Sequence, residues 1–211
     1  MIRLLLADDH QLVRDGLKRI LGAAPELEVA GEAASGDEAL ALVKANDYHL
    51  ALLDMSMPGL SGIALIKRLR AEKPKLRILV LSMHGEDQYA ARALKAGAAG
   101  YLTKDSASAQ LVGAIRKVAA GGVHISEAVA ASLVKAAAGD DAPAHAALSD
   151  REFEVFRLLA AGRAPTEIAA RLHLSVKTVS THKARILQKL GVGGTAELVR
   201  YALEHRLLED S

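Results

Sequence analysis

Across its first 120 residues this chain alternates short apolar runs with segments of helical period, and that alternation limits the fold more than any other feature. The runs at 2–7, 27–33, 49–53, 76–82 and 98–103 are predicted strands, and the stretches at 11–22, 37–46, 61–72, 86–96 and 107–120 are predicted helices. Strands alternating with helices of about 10–15 residues form βαβ units, which build a parallel sheet covered by helices on both faces. The punctuation agrees. Pro25 and Pro74 lie just before strands, Pro58-Gly59 breaks the chain after the third strand, and Gly97 stands where a helix would end. Residues 1–120 are therefore expected to form an α/β domain, a doubly wound (βα)5 parallel sheet.

After Gly121-Gly122 the pattern changes. Ser126 can cap a helix running to about Ala138, with Gly139 as its stop, and GDDAPAHAA at 139–147 has linker composition. Residues 121–147 are thus expected to be a linker with a helix near 126–138. The remainder, 148–211, is expected to be a small all-α domain of four helices at 150–161, 165–172, 176–190 and 195–206. Ser149 with Glu152 makes a capping box, Pro165 suits a first helical turn, Ser175 is a cap and Gly191 a stop.

Composition excludes several classes. No apolar run reaches the ~18 residues of a membrane span, and IRLLLA is followed at once by Asp8-Asp9, so it is not a signal peptide. The chain has no cysteine, which removes disulfides and thiolate metal sites and fits a cytoplasmic setting. The net charge of +2 becomes informative once divided. Between Glu167 and Glu197 there is no acid, while Arg171, Lys177, Lys183, Arg185 and Lys189 all fall there. That local field suits a polyanionic partner.

The predicted strand ends carry the chemistry. Asp8 and Asp9 end the first apolar run, Asp54 the third, Ser82 follows the fourth, and Lys104 follows the fifth, which contains Tyr101. Singly, each has an ordinary explanation as a helix cap or a solvated surface charge. Jointly, they converge at the edge of the sheet where open α/β folds bind ligands. Three clustered carboxylates repel one another unless a divalent cation holds them together, so the set fits metal-assisted phosphoryl chemistry with Asp54 as the reactive member.

Asp8-Asp9, Asp54 within DMSMPGLSG, Ser82, Tyr101 and Lys104 resemble the receiver domain of two-component response regulators. The resemblance implies that Asp54 accepts a phosphoryl group from a histidine kinase. It also implies that Asp9, Asp54 and the Ser56 carbonyl ligate Mg²⁺, with Asp8 acting mostly through water. Lys104 and Ser82 would contact the phosphoryl oxygens, Tyr101 would turn inward as they move, and Ser56 and His84 would tune the rate of dephosphorylation. One departure stands out: many receivers carry proline after this lysine, with a cis peptide, where this chain has Asp105. A cis bond before a non-proline residue costs about 3 kcal/mol, which leaves the isomer open.

On a helical wheel of residues 176–190, Val176, Val179, Ile186, Leu187 and Leu190 share an arc of about 100°. The opposite arc holds Lys177, Thr178, Ser180, Thr181, Ala184, Arg185, Gln188 and Lys189, without an acid. Such a face can enter a major groove. LSDREFEVFRLLAAG, EIAARL and LSVKTVSTHKARILQKL resemble the LuxR-type helix-turn-helix of the NarL/FixJ family. The resemblance implies base-edge contacts from Lys177, Ser180 and Thr181 and backbone contacts from Thr178 and Arg185. Lys183 falls toward the apolar side, its stem packing and its head reaching solvent, and His182 is expected to be structural. Ala164-Pro165-Thr166 replaces the family's common Ser-Asn-Lys, losing a cap and a basic contact.

Together these readings imply a non-enzymatic transcription regulator. Phosphorylation of Asp54 would drive homodimerisation and binding to double-stranded promoter DNA, with no membrane involved. Two other classes remain open on the residues. One is a Mg²⁺-dependent phosphatase, weakened because Ser56 stands where a second acid would act as general acid. The other is a constitutive DNA binder with an inert receiver, which the intact acid set argues against.

Overall fold

The structure, a computed structural model, describes residues 1–60, 62–82, 87–138, 143–205 and 207. The chain divides into two compact units, Met1–Leu133 and Val134–Ser211.

In the first unit, five strands form one parallel sheet: β1 (Ile2–Ala7), β2 (Leu27–Ala33), β3 (Leu50–Asp54), β4 (Arg77–Ser82) and β5 (Gly100–Thr103). Between them run α1 (Gln11–Gly22), α2 (Gly36–Ala45), α3 (Gly62–Glu72) and α4 (Asp87–Lys95), and α5 (Lys104–Ala119) follows β5. The spatial order is β2-β1-β3-β4-β5. The winding direction reverses between β1 and β3, so a crevice opens there beyond the carboxyl ends of those strands.

The sequence of β3 explains its central place. All five residues of LALLD are buried, the mark of a strand covered on both faces. Leu4, Leu6, Leu50, Leu52, Leu79 and Leu81 join Leu17 and Leu21 of α1 and Leu111, Ile115 and Val118 of α5 in one core. Each such side chain is worth about 1.5–3 kcal/mol when fully buried. The helices α2 and α3 pack together and bury Ala39, Val43, Ile63, Ile66 and Leu69.

Several boundaries differ from expectation by one to three residues, and at two helix starts the difference comes from a cap. The helix α5 begins at Lys104, not at 107, because Thr103 ends the strand and caps the helix at once. Its hydroxyl accepts from the Ser106 N–H at 3.3 Å, which satisfies one of the first-turn donors. The helix α2 begins at Gly36, one residue early, with Ser35 accepting from the Glu38 N–H at 3.2 Å. A Cβ on Gly36 would lie 1.5 Å from the Leu60 carbonyl oxygen, so only glycine lets α2 lie against the loop after β3.

After α5 the chain turns at Gly121, in the left-handed region at φ 96°. His124 then pairs with the outer edge of β5: the Tyr101 N–H donates to the His124 carbonyl at 2.8 Å and the His124 N–H donates to the Ala99 carbonyl at 3.1 Å. This stretch, expected as the start of a linker, covers a sheet edge that would otherwise expose unpaired backbone groups. The next helix, α6 (Glu127–Ala138), is capped by Ser126, which accepts from the Val129 N–H at 3.2 Å. Its expected stop, Gly139, lies outside the described residues.

The second unit holds a 3-10 turn, Ala144–Ala147, and four helices: α7 (Asp150–Ala160), α8 (Pro165–Leu172), α9 (Val176–Leu190) and α10 (Thr195–Glu204). Phe153, Phe156, Ile168, Val179, Ile186 and Leu198 are buried at its centre. The Ser149–Glu152 capping box is complete, Pro165 opens α8, and Gly191 ends α9 in the left-handed region. His173, at φ 51°, closes α8 and starts the short turn that Ser175 converts into α9. Ala164 has no side-chain acceptor, so only the reciprocal half of a capping box remains there, the Ala164 N–H donating to Glu167 at 2.9 Å.

Candidate functional site

The sheet register builds the first site. Ala7 lies opposite Leu53, Asp54 opposite Leu81, and Ser82 opposite Thr103. Asp8, Asp54, Ser82 and Lys104 therefore end adjacent strands at one edge, across the crevice between β1 and β3. Asp8, Asp54 and Ser82 are buried, and Asp9 is half-buried at the mouth.

Lys104 reaches into this edge from the first turn of α5. Its Nζ lies 2.6 Å from Asp8 Oδ2 and 3.2 Å from Asp54 Oδ2. Burial alone pushes the ammonium down, but its pairing with Asp8 and Asp54 outweighs that and leaves Lys104 above the ordinary lysine value. Burial holds the Asp54 carboxyl above the ordinary carboxylate value; Lys104 pulls against this and the Asp8 charge adds to it. Asp54 Oδ1 is buried without a hydrogen-bond donor. A buried carboxylate oxygen left in that state is costly unless another positive group completes it.

A metal ion meets that requirement. Asp8, Asp9, His10 and Asp54 each offer a ligand atom, and these atoms lie within 4.8 Å of one another. Three of the four are carboxylate oxygens, which suit a hard divalent cation. Tyr101 is buried in β5 and Ser56 half-buried in the loop after β3, while His84 lies outside the described residues. The Lys104–Asp105 peptide is trans, since the described residues contain no cis peptide.

Three members of this neighbourhood escaped sequence reasoning. His10 places Nδ1 3.0 Å from Asp9 and 3.4 Å from Asp8. Arg14 donates to the Asp8 carbonyl at 2.7 Å and fixes the main chain of the acidic turn. Thr103, the cap of α5, sets where Lys104 starts. Only His10 carried a visible signal, an imidazole immediately after two acids.

The second candidate surface is α9. Lys177, Ser180, Thr181 and Arg185 are exposed, whereas Thr178 and Lys183 are half-buried. The Thr178 hydroxyl lies 2.7 Å from the Ser175 hydroxyl and so belongs to the helix cap. Ser180 and Thr181 donate their hydroxyls to the Val176 and Lys177 carbonyls, each at 3.0 Å. Their outward oxygens are thereby set as acceptors, suited to the amino groups of adenine and cytosine.

One wheel assignment needs correction, and one exposed cation is already engaged. Val176 was placed on the apolar arc but is 44% exposed, because the first turn of α9 projects beyond the core. Lys189 was counted with the outward cations, but its Nζ lies 2.7 Å from Glu152 and 3.1 Å from the Ala147 carbonyl. It locks α9 to the start of α7. His182 is half-buried, and burial lowers its pKa, as befits a structural imidazole.

Comparison with known proteins agrees with both halves. Residues 4–116 match the family described as response regulator receiver domain, and residues 146–202 match bacterial regulatory proteins of the luxR family. The response regulator UvrY of Escherichia coli O6:H1 is 36% identical over 209 residues, spanning 98% of this chain and 96% of that protein. The RcsB response regulator of Salmonella typhimurium superposes with a TM-score of 0.78 at 31% identity, covering 97% of this chain and 98% of that one. RcsB bound to promoter rprA in the presence of phosphomimetic BeF3- gives a TM-score of 0.71 at 31% identity, with coverage of 95% and 97%. The fold and the site define a receiver joined to a helix-turn-helix unit. The chain belongs to the NarL/FixJ-type response regulators, which are regulators of transcription rather than enzymes.

Proposed function

We propose that Asp54 is the phosphoryl acceptor of this regulator and that its phosphorylation by a histidine kinase controls binding of α9 to promoter DNA. The observation that carries the reading is the buried, donor-less Asp54 Oδ1 at a sheet edge shared with Asp8, Asp9, Ser82 and Lys104. In the transfer, an Asp54 carboxylate oxygen forms a bond to phosphorus while the phosphorus–nitrogen bond of the phosphohistidine breaks. The imidazole leaves with the electron pair. Repulsion between carboxylate and phosphoryl donor is the main barrier, so catalysis consists of positioning and charge compensation.

Lys104 supplies one positive charge and can leave the two acids for phosphoryl oxygens within the same pocket. The Ser82 hydroxyl, at the adjacent strand end, can follow those oxygens. Asp9, Asp54 and the Ser56 carbonyl would hold Mg²⁺, with Asp8 contributing through water; the ion would supply further charge compensation when bound. Tyr101, in the strand that ends next to Lys104, would report the change along β5. Lys177, Ser180 and Thr181 would read base edges while Thr178, Lys183 and Arg185 face phosphates. Promoter complexes of the similar RcsB support promoter binding by this chain, and RcsB dimers bound to DNA support a homodimer on paired half-sites. The receiver is assigned to residues 1–120, the linker to 121–147 and the DNA-binding domain to 148–211, and the setting to the cytoplasm.

Gel shifts on promoter DNA with and without a small phosphodonor, paired with sedimentation, test the proposal. Phosphodonor should tighten binding and shift the protein toward dimer, and Asp54→Asn should abolish both effects together with covalent labelling. Labelling that persists in Asp54→Asn would reject the acceptor. Equal DNA affinity in both states would reject the control.

A further inference from the structure

The notion that the acidic crevice is built from oxygen donors alone leaves His10 unexplained. Its backbone N–H donates to Asp8 Oδ1 at 2.8 Å, and as the residue before α1 it occupies a capping position. Its side chain nonetheless makes no capping hydrogen bond. Instead the ring turns back over the acids, Nδ1 3.0 Å from Asp9 Oδ1 and 3.4 Å from Asp8 Oδ1, while two-thirds of the side chain faces solvent. A cation held by Asp9 and Asp54 would meet this nitrogen on the open side of the site, since all four ligand atoms lie within 4.8 Å of one another. Independently, Asp54 Oδ1 is buried and lacks a donor, so the pocket is short of positive charge on its inner side.

We propose that His10 is a metal ligand of this site and biases it toward divalent ions that accept nitrogen, over Mg²⁺. The inference rests on the reading of the crevice as a cation site and adds its selectivity. Mg²⁺ prefers an all-oxygen octahedral shell and keeps its waters, so His10 adds little to its binding. Transition metals take imidazole readily alongside carboxylates, and their affinity rises along the first row. The residue carrying the nitrogen is tied to Asp8 through its own main chain, so the ring needs no large movement to exchange Asp9 for a metal.

Mn²⁺ is the probe, because among these ions it is the least drawn to stray surface histidines. Binding of Mn²⁺ to the full chain would be followed by electron paramagnetic resonance, with Mg²⁺ as competitor. Pulsed measurements would detect nitrogen coupled to the bound ion. The wild-type protein should show nitrogen coupling. His10→Ala and His10→Gln should still bind Mn²⁺ but lose the coupling, and the preference for Mn²⁺ over Mg²⁺ should fall about tenfold, the lower end of what partners around a metal are worth. Nitrogen coupling absent from the wild-type complex, or surviving both substitutions, would overturn the role of His10. If Mn²⁺ binds Asp54→Asn as well as wild type, the cation-site reading falls and His10 with it.

Discussion

Burial makes ionised Asp54 costly in the folded protein, so the native state holds a proton on this group at pH values where the unfolded chain has released it. The sign follows from linkage: with a folded pKa above the unfolded 3.8, stability from this group is present at low pH and is lost as pH rises through the raised value. Asp54→Asn should therefore be more stable than wild type near neutrality. The advantage should shrink as pH falls through that window, as read from urea unfolding across a pH series; a pH-independent difference would contradict the assigned cause. Lys104 acts in the opposite sense, since removing it leaves two buried carboxylates without their cation. Lys104→Ala should cost about 3 kcal/mol, as for a broken buried pair, and added Mg²⁺ should restore more stability to the variant than to wild type. Thermal unfolding with and without Mg²⁺ measures both effects.

At the scale of elements, the loop after β3 is held in place by a helix that approaches it closely. Gly36→Ala forces a Cβ onto the Leu60 carbonyl. It should lower stability by about 3 kcal/mol, at the upper end for overpacking, and should weaken Mg²⁺ binding by shifting the loop that carries Ser56. Mg²⁺ titration beside thermal unfolding would show the two losses together, and retained Mg²⁺ affinity would separate the loop from the site. The strands were legible because a parallel sheet buried on both faces leaves unbroken apolar runs, LALLD above all. Helix starts were less so, since a cap such as Thr103 is one hydroxyl whose role depends on where the preceding strand stops. The same limit applies in α9. A wheel treats every turn as packed alike, so it could not show that Val176 projects past the core or that Lys189 is drawn to Glu152. His10 was overlooked because spacing along the chain does not tell which way an imbalanced side chain turns.

For the whole molecule, the boundary of the receiver matters in practice. A fragment ending at residue 120 keeps all five strands but strips the outer edge of β5, whereas one ending at 125 retains the two backbone hydrogen bonds that join His124 to Tyr101 and Ala99. The shorter fragment should associate more readily and exchange the Tyr101 amide faster, as sedimentation and hydrogen exchange would show; equal behaviour would mean that the edge needs no cover. That pairing also gives β5 a second employment. The strand that delivers Lys104 to the acids on one side grips, through the backbone of its own Tyr101, the chain departing toward α6 on the other. Under the proposed phosphorylation of Asp54, a tug on Lys104 would be felt at residue 124 through these two hydrogen bonds rather than through slack, so the stretch from 121 to 124 would act as a rein rather than a tether.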